Sequence, residues 1–479
     1  MMFVPPELDR IVRQTPELRK AFLVGGCVRD FLLGSPGKDF DVEVFGVGYE
    51  ALAQALARWG KVDLVGQSFG VVKLTTGGEY SYDFTIPRRD SKVAAGHKGF
   101  AVELDPAITP VQAAARRDFT INSLMYDPRT GQVLDFFGGA RDLEGRILRH
   151  TSPAFVEDPL RVLRGMQFAG RFELTPAGET VELCRQIKGG FAELASQRVR
   201  DEWFKWGEKS VLPSSGLKFL AATQWVEHFP EIRALIGTPQ DAEWHPEGDV
   251  FVHTCHCCDA MSRLPEWKSA VPETRVVLML AALAHDFGKP ATTEEAVREG
   301  RRRVVSPGHD VLGGELAKVF LERIGAPPAM QARVIPLVVN HIMHFQTLSD
   351  RAVRRLAKRL EPESIEGLCL VMTADSMGRP PLPAMEPEGA RQLLARAREL
   401  RVQKRPPQPI VMGRHLVELG LPPGKDIGVI VRQAYEAQLE GAFLDLAHAL
   451  KWLRGRRDLP LPEKARQKLE ARLRGEGKR

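Results

Sequence analysis

The chain has 479 residues, of which 43% are hydrophobic and 27% are charged, as in ordinary globular proteins of about three or four domains. Residues 1–10 lack an apolar core long enough for a signal peptide, and the longest apolar run, Val276–Ala284, is too short to cross a bilayer. Six cysteines in so long a chain do not form a disulfide framework, which favours a reducing cytoplasm and no membrane partner.

The net charge of +6 is placed unevenly, because residues 451–479 contain eleven Lys and Arg against four acidic residues. A basic tail suits a polyanionic partner, most simply a nucleic acid. A tail that only increases solubility is the alternative, and the charge pattern alone does not separate the two.

In chain order, residues 20–140 predict a mixed α/β region, followed from about residue 150 by an almost entirely helical chain. The predicted strands are 21–26, 39–45, 68–76 and 81–87. A linker rich in Gly, Pro and acids at 235–250 leads into a second helical block that extends to about residue 400. Proline-rich breaks at 380–388 and 405–409 separate the tail.

The first candidate site begins at LVGGCVRDFLLG (23–34), where a predicted strand leads through a glycine pair into a helix. Gly25 and Gly26 allow a ligand to approach the backbone closely, and Arg29 can add a charge-assisted contact to phosphate. A glycine pair alone is more often only a turn, but the acidic strand that follows it favours a phosphate site.

The acidic strand GKDFDVEVFG (37–46) places Asp39, Asp41 and Glu43 at alternate positions, on one face of a strand whose other face is apolar. A solvated face is the simplest interpretation. Crowded carboxylates are unfavourable on a strand, however, and a divalent metal would offset the repulsion. Asp83, on the predicted strand 81–87, would complete a site for two Mg²⁺ ions about 4 Å apart, as used in phosphoryl or nucleotidyl transfer.

Two further segments carry paired charges. In ARRDFTINSLMYD (115–127), Arg117 can bind phosphate and Asp118 can accept from a ribose hydroxyl, although a helix cap with a salt bridge explains this pair as well. In VEDPLRVLRGMQFAGRF (156–172), Arg161 and Arg164 share a helix face, and Asp158 and Arg161 form an acceptor and a donor three residues apart.

These motifs, in this order, resemble the class II tRNA nucleotidyltransferases, the CCA-adding enzymes, and their bacterial poly(A) polymerase relatives. The matching segments are 23–34, KDFDVEV (38–44), RRDFTIN (116–122), FFGGARDLEGRILR (136–149) and EDPLRVLR (157–164). The resemblance implies an α+β fold with a polymerase-β-like head and a small mixed sheet, then an all-α neck, an α-helical HD domain and a helical tail. It implies the divisions 1–140, 141–235, 245–400 and 401–479.

The resemblance also implies roles for individual residues. Asp39 and Asp41 would bind Mg²⁺, and Asp83 would be the third catalytic carboxylate. The nucleotide-binding residues would be Gly25, Gly26, Arg29, Arg117, Asp118, Glu157, Asp158, Arg161 and Arg164. The substrates would be tRNA, CTP and ATP. Many family members have arginine where this chain has Gln167, which puts one phosphate contact in doubt.

The proposed base readers are chemically suited to the task. Cytosine and adenine each present an exocyclic amine beside a ring-nitrogen acceptor, which an Asp acceptor and an Arg donor match. Uracil and guanine present a carbonyl in place of the amine, and each unpaired buried group costs about 1–3 kcal/mol. Asp158 and Arg161 could therefore select C and A without a template.

A second constellation lies in residues 253–375, on separate predicted helices. Its H…HD…D order resembles that of the HD-domain phosphohydrolases, which use divalent metals. The resemblance implies His253, His285, Asp286 and Asp375 as ligands, with His309 and His341 nearby, of a metal such as Mn²⁺, Ni²⁺ or Co²⁺. The neighbouring cluster Cys255, His256, Cys257 and Cys258 lacks the second ligand pair of a structural zinc site.

Several alternatives stay open. A partial enzyme would add only CC or only A, although the segment 87–109 resembles the flexible loop tied to the switch from C to A. Poly(A) polymerases carry a basic signature where this chain has VGQSFGVV (65–72). Alarmone synthetase/hydrolases usually place the HD domain first and lack EDPLR. The last is a non-catalytic RNA-binding protein, against which the intact pair Asp39 and Asp41 argues.

Two basic segments are candidates for tRNA backbone contacts: the helix RAVRRLAKRL (351–360) and the tail block 412–441, which resembles the C-terminal region of nucleotidyltransferases with this layout. A solvated helix face explains the first equally well. The chain would act as a monomer or a homodimer.

Overall fold

The computed structural model describes residues 2–35, 37–63, 70–92, 100–342 and 349–476. The chain divides into two compact units, one of Met1–Arg233 with Glu322–Ala326 and the other of Ala234–Leu321 with Pro327–Arg479. The division falls beside the linker predicted at 235–250. Parts of the segments 65–72 and 87–109, on which two of the alternatives above depend, lie outside the described residues.

The first unit contains a mixed sheet, two smaller strand pairs and short connecting helices. Its strands are β1 (Ala21–Val24), β2 (Asp39–Val44), β3 (Lys61–Asp63), β4 (Val71–Thr75), β5 (Ser81–Thr85), β6 (Arg88–Lys92), β7 (Phe100–Leu104), β8 (Met125–Asp127), β9 (Gln132–Leu134), β10 (Ile147–Leu148) and β11 (Thr175–Pro176). The main sheet has the order β3-β4-β5-β2-β1-β8-β9, in which β2 and β5 run parallel and the other pairs are antiparallel. The four predicted strands are therefore confirmed.

The alternation along β2 has the expected physical result. Phe40, Val42 and Val44 enter the hydrophobic core of the head, whereas Asp39 and Asp41 are exposed on the opposite face. Because side chains alternate along a strand, burying the apolar set fixes the acids on the outer face.

Helices in this part of the chain flank the sheet and then form a helical layer after residue 159. They are α1 (Pro6–Gln14), α2 (Gly26–Leu32), α3 (Tyr49–Leu56), α4 (Pro110–Ala115), α5 (Gly139–Glu144), α6 (Leu160–Phe172), α7 (Gly178–Gln186), α8 (Ser196–Lys209), α9 (Pro213–Ala222) and α10 (Pro230–Leu235). Helix α6 packs against α8 and α9. A Cβ on Gly165 would lie 2.7 Å from the Phe219 ring, so glycine is required for this close packing.

The second unit is helical, as expected, apart from one hairpin. Its elements are α11 (Val250–Arg263), α12 (Pro265–Ser269), α13 (Pro272–Ala284), α14 (Lys289–Thr292), β12 (Glu294–Arg298), β13 (Arg301–Val305), α15 (His309–Arg323), α16 (Pro328–Asn340), α17 (Asp350–Leu360), α18 (Ile365–Met377), α19 (Glu388–Glu399), α20 (Gly413–Glu418), α21 (Lys425–Leu439), α22 (Leu446–Gly455) and α23 (Glu463–Glu476). Helices α11, α13, α16 and α18 pack together. The tail helices have a hydrophobic core of their own.

The hairpin of β12 and β13 departs from the predicted all-helical block. Its two turn residues, Glu299 and Gly300, both have positive φ angles, 53° and 75°. A two-residue turn with positive φ angles matches the twist of an antiparallel strand pair. It makes Arg298 and Arg301, the residues on either side of the turn, cross-strand partners.

The basic helix α17 does not present all its arginines to solvent. Arg351 and Arg355 form ion pairs with Glu440, and the buried Arg354 donates to the carbonyl of Leu439 at 3.1 Å. These contacts join α17 to the end of α21. Neither a solvated face nor a tRNA contact, the two interpretations of this helix from the sequence, predicts that its arginines pack against the end of α21.

Two composition-based expectations can be compared with the structure. All six cysteines are free and buried. Among the residues that the structure describes, none of the helices combines the length and the apolar character needed to cross a membrane.

Candidate functional site

The acidic face of the head is built by the parallel pair β2 and β5. Asp41 lies directly opposite Asp83 in the register, and Asp39 lies opposite Ser81. Cross-strand neighbours have Cβ atoms about 5 Å apart, which brings the carboxylates of Asp41 and Asp83 together. The third predicted acid, Asp39, is on the same face of β2, two residues before Asp41.

The electrostatics of this face fit a cation. Burial raises the pKa of Asp41, and the charges of Asp83, Asp39 and Glu43 act in the same direction, whereas Arg117 lowers it. The Oδ1 atom of Asp83 is buried without a hydrogen-bond donor. Its nearest described positive charge is the Nζ atom of Lys73, at 3.5 Å. Carboxylates that repel one another and lack donors are suited to a divalent metal.

The turn after β1 has the geometry expected of the glycine pair. Gly25 has a φ of +69°, and its amide donates to the carbonyl of Leu124 at 3.2 Å. Helix α2 begins at the next residue, Gly26. A Cβ on Gly25 would lie 2.7 Å from Nη1 of Arg117, so the absence of a side chain also leaves room for that guanidinium.

We expect Gly25→Ala to destabilise the first unit by about 1–2 kcal/mol, because an L-residue is strained at this positive φ. The thermal unfolding temperature should fall accordingly. Gly26→Ala is the matched control, since its added Cβ meets only Nη2 of Arg29, at an ordinary 3.6 Å. Equal unfolding temperatures for the two variants would contradict the strain argument.

Arg117 faces the acidic strand. Its Nη2 atom donates to Oε2 of Glu43 at 3.2 Å, while its Nε atom is buried without an acceptor. The unsatisfied donor beside Gly25 and Asp41 is suited to an anionic ligand.

A chain of hydrogen bonds connects the other predicted polar residues. Asn122 accepts from Nη1 of Arg29 at 2.5 Å and donates to Oδ1 of Asp118 at 3.0 Å. Oδ2 of Asp118 accepts from Nε of Arg164 at 2.7 Å. Burial works to raise the pKa of Asp118, but Arg164 and Asn122 hold it below its usual value. Asp118 is therefore a charged acceptor held in one orientation.

The side chains of Asp158 and Arg161 have other partners, although the Arg161 amide donates to the Asp158 carbonyl at 3.0 Å. Helix α6 begins at Leu160, so Asp158 precedes the helix and its carboxylate is not on the helix face that carries Arg161. Arg161 donates to the carbonyls of Ala154 at 2.6 Å and Arg116 at 2.8 Å. Asp158 instead forms an ion pair with Arg198 on α8, at 2.7 Å.

Most of the predicted nucleotide-binding residues line one cleft of about 520 Å³ in the first unit, together with the predicted catalytic residue Asp41. The nucleotide-binding residues in the lining are Gly25, Gly26, Arg29, Arg117, Asp118, Asp158, Arg161 and Arg164. Gln167 also lines it, and its buried Nε2 atom has no hydrogen-bond partner. Glu157 is placed apart from this lining, at the end of a short 3-10 helix of residues 153–157.

The sequence interpretation missed four basic residues of the cleft. These are Arg171, Arg198, Lys205 and Lys209. Three of them lie on α8, at spacings of seven and four residues, which correspond to one helix face. That spacing in SQRVRDEWFKWGEK was the signal available in the sequence.

The second site brings together all six predicted residues in the second unit. Nε2 of His253 lies 3.1 Å from Oδ1 of Asp375 and 3.4 Å from Nε2 of His285. Nε2 of His285 lies 3.2 Å from Oδ2 of Asp286. On the other side, Oδ1 of Asp286 lies 3.5 Å from Nε2 of His309. Asp286 therefore stands between two groups of ligands.

The four histidines share one arrangement, in which Nδ1 is close to an oxygen acceptor and Nε2 points inward. The acceptors are Glu247 Oε1 at 2.7 Å for His253, Ala282 O at 2.8 Å for His285, Ser306 O at 2.7 Å for His309 and Val338 O at 2.7 Å for His341. A hydrogen bond at Nδ1 leaves Nε2 free to bind a metal. Both carboxylate oxygens of Asp286 are buried without a hydrogen-bond donor of good geometry. The residues thus fit a metal centre.

The charges at this site are strongly perturbed. Burial opposes the charge of His285, but Asp286 raises the pKa of His285 to about 10. Burial lowers the pKa of His341 to about 4. Despite its own burial, Asp286 has a pKa well below the usual value because of His285 and Lys289. Asp286 therefore remains a carboxylate at neutral pH, the form that binds a metal.

A cavity of about 470 Å³ opens onto this centre. Its described lining includes Asp286, His309, His341 and Asp375 but not His253 or His285. Arg379, also in the lining, supplies positive charge for an anionic ligand, whereas Lys289 is paired with Asp286 at 2.7 Å.

Comparisons with known proteins identify the families of both regions of the chain. Residues 21–149 match the family model of the Poly A polymerase head domain, and residues 254–379 match that of the HD domain. The chain is 37% identical over 374 residues to the Multifunctional CCA protein of Xanthomonas campestris, covering 75% of this chain and 85% of that protein. It is 35% identical over 370 residues to the protein of the same name from Neisseria meningitidis, covering 75% and 83%.

Solved structures share the fold. The CCA-adding enzyme of Bacillus stearothermophilus in complex with CTP has a TM-score of 0.60 at 20% identity, covering 95% of this chain and all of that one. The Thermotoga maritima CCA-adding enzyme complexed with tRNA has a TM-score of 0.53 at 19% identity, covering 94% and 97%. The α+β architecture, with a head, helical regions and a helical tail, is thereby confirmed.

Proposed function

The chain belongs to the family of the multifunctional CCA proteins, and from this premise we propose that it builds or repairs the 3′-terminal CCA of tRNA from CTP and ATP without a nucleic-acid template. It is a nucleotidyltransferase. The observation that carries the proposal is the position of Asp41, beside Asp83 on one face of the sheet and in the same cleft as Asp158 and Arg161.

Asp39 and Asp41 would hold Mg²⁺, with Asp83 as the third carboxylate. The metal, when bound, would make the attacking 3′-hydroxyl more acidic and stabilise the leaving pyrophosphate. Arg117 is the residue placed to contact the triphosphate, because its buried Nε atom lacks an acceptor. Asp118, oriented by Asn122 and Arg164, would accept from a ribose hydroxyl.

Asp158 and Arg161 would read the base, as acceptor and donor. In the ligand-free chain each is already engaged, Asp158 by Arg198 and Arg161 by two backbone carbonyls. The engagement keeps these half-buried groups satisfied before the nucleotide arrives. Arg198 therefore becomes a further residue of the base-reading set, since its ion pair fixes the orientation of the Asp158 carboxylate.

The activity can be tested by filter binding of labelled product on tRNA that ends before CCA. We expect incorporation of C from CTP and then of one A from ATP. Incorporation of C alone, or of A only on tRNA ending in CC, would indicate a partial enzyme. A long A tract would indicate a poly(A) polymerase, and no incorporation would indicate a non-catalytic RNA-binding protein.

We expect Asp158→Ala to relax base choice more than it weakens triphosphate binding. The loss of one buried hydrogen bond to the base amine should lower discrimination against UTP and GTP about tenfold to hundredfold. The measurement is kcat/KM for each of the four nucleotides. Asp201→Asn, which removes an exposed carboxylate of the same ion-pairing type from α8, is the control. Unchanged rejection of UTP and GTP would exclude Asp158 as the base reader.

The second unit supports a further activity, a metal-dependent phosphohydrolase. His253, His285, Asp286 and Asp375 would hold a divalent ion such as Mn²⁺, Ni²⁺ or Co²⁺, and His309 and His341 would contribute beside Asp286. Substrates with terminal or 2′,3′-cyclic phosphates suit the proposal, because a damaged tRNA end must be cleared before repair. Arg379 in the cavity lining would supply a positive charge for such phosphates.

Each proposed role belongs to one continuous segment of the chain. We assign residues 1–140 to the catalytic head, 141–235 to the neck with base recognition, 245–400 to the HD domain and 401–479 to a basic tail that would contact tRNA. The compact-unit boundary after Arg233 supports the separation of neck and HD domain. The free cysteines favour action in the cytoplasm.

A further inference from the structure

One buried thiol lies among the ligands of the second site. Cys257 follows His253 by one turn on helix α11, so the two side chains share a face. The Sγ atom of Cys257 lies 3.3 Å from Nε2 of His253. It is packed against Gly378, where a Cβ would collide with it. The thiol is thus held in place on the side of His253 that faces the centre.

The distances from His253 to three other ligand atoms match the spacing of ligands around one metal ion. From Nε2 of His253, they are 3.3 Å to Sγ of Cys257, 3.4 Å to Nε2 of His285 and 3.1 Å to Oδ1 of Asp375. All four atoms lie within 4.8 Å of one another. Metal–nitrogen bonds of about 2.0–2.1 Å and a metal–sulfur bond of about 2.3 Å place neighbouring ligand atoms about 3.3–3.6 Å apart at tetrahedral angles.

We propose that Cys257 binds the metal of this site through its sulfur, as a further ligand beside His253, His285, Asp286 and Asp375. The inference rests on the proposed metal centre of the second unit and deepens it. On binding, the S–H bond breaks, a metal–sulfur bond forms and the proton passes to solvent, with no change of oxidation state. A thiolate ligand selects a borderline or soft ion such as Zn²⁺, Co²⁺ or Ni²⁺ over Mg²⁺.

The ordinary alternative is that Cys257 is only a small core residue, as buried cysteines usually are. Its neighbour Cys258 is a core residue of this kind. It is fully buried on the same helix and belongs to none of the groups of possible metal ligands found among the described residues. Cys258 is therefore the matched control for Cys257.

The test uses the full chain, stripped of metal with a chelator and titrated with Co²⁺ alone. Thiolate ligation of Co²⁺ produces a sulfur-to-metal charge-transfer band in the near ultraviolet. We expect the band in the wild type and in Cys258→Ala, and its loss in Cys257→Ser and Cys257→Ala. Co²⁺ affinity should fall about tenfold or more in both Cys257 variants, since even changes outside the ligand set often cost that much.

The outcomes test the metal centre and its thiolate ligand separately. If the wild type binds no Co²⁺, the proposed metal centre itself is wrong. If it binds Co²⁺ but the band is absent, or persists in Cys257→Ser, the centre stands and the thiolate assignment is overturned. Far-ultraviolet circular dichroism of each variant, compared with the wild type, establishes that lost binding does not reflect unfolding. If Cys257→Ser does not fold, Cys257→Ala takes its place in the comparison, and a band that persists in a folded Cys257 variant overturns the assignment.

Discussion

Replacing Asp41 by asparagine should abolish the addition of both C and A to tRNA. The carboxylate lies in the register directly opposite Asp83, and the change removes one negative charge from the set that would hold Mg²⁺. We expect kcat to fall at least about a thousandfold, which corresponds to about 4 kcal/mol of transition-state stabilisation. Asp39→Ala should behave in the same way. The measurement is single-turnover incorporation of labelled CTP and ATP.

The binding of tRNA should be unaffected by either change, because the basic residues of the cleft and the tail remain. A gel-shift titration measures this. Glu79→Gln is the matched control, since it removes an exposed carboxylate from the same unit in the turn between β4 and β5. Near-normal incorporation by Asp41→Asn would contradict the metal assignment, as would a loss of activity in Glu79→Gln.

The second large effect is expected at His285. His285→Ala should eliminate the release of phosphate from RNA ends with terminal or 2′,3′-cyclic phosphates, while CCA addition continues. The imidazole occupies a central position, with Nε2 close to both His253 and Asp286, so its removal dismantles the centre. The assay is phosphate release in the presence of Mg²⁺, Mn²⁺, Ni²⁺ or Co²⁺, tested one at a time.

The reciprocal variant separates the two activities, because Asp39→Ala should release phosphate normally and fail to add nucleotides. Asp375→Asn serves as a second test of the centre, since it retains shape and removes one ligand charge. If the wild type releases no phosphate with any of the four metals, the second unit is a scaffold and the phosphohydrolase proposal is wrong.

The acidic strand shows how much local pattern can predict. Alternation of Phe40 and Val42 with Asp39 and Asp41 is enough to predict both the strand and the face that carries the acids. The opposition of Asp41 and Asp83 is not predictable in the same way. Those residues are 42 positions apart in the printed sequence, and their register depends on which strands become neighbours in the sheet.

Asp158 is a clearer example of a contact that local sequence pattern cannot predict. Its nearest candidate partner by helical spacing was Arg161, but the helix begins two residues after Asp158, and helix ends are the least predictable parts of an element. The partner that it has, Arg198, comes from α8, which packs on α6 where Gly170 lies against Trp206. No local periodicity contains that information.

The sequence predicts which residues form the second site but not how their side chains are arranged. The H…HD…D order identified His253, His285, Asp286 and Asp375, and the structure brings all of them together with His309 and His341. The sequence interpretation treated Cys257 only as part of a cysteine cluster. Its position one turn after His253 was visible, but its proximity to Asp375 depends on the packing of α11 against α18.

Asp286 offers one oxygen to each of two ligand groups, and a shared ligand makes the two sites thermodynamically dependent. An ion bound on the Oδ2 side would draw electron density from the carboxylate and change how strongly Oδ1 attracts a second ion. By linkage, the second ion would alter the affinity for the first by the same factor. The two ions would then bind cooperatively rather than independently. The buried carboxylate of Asp286 would set the size of the coupling free energy between them.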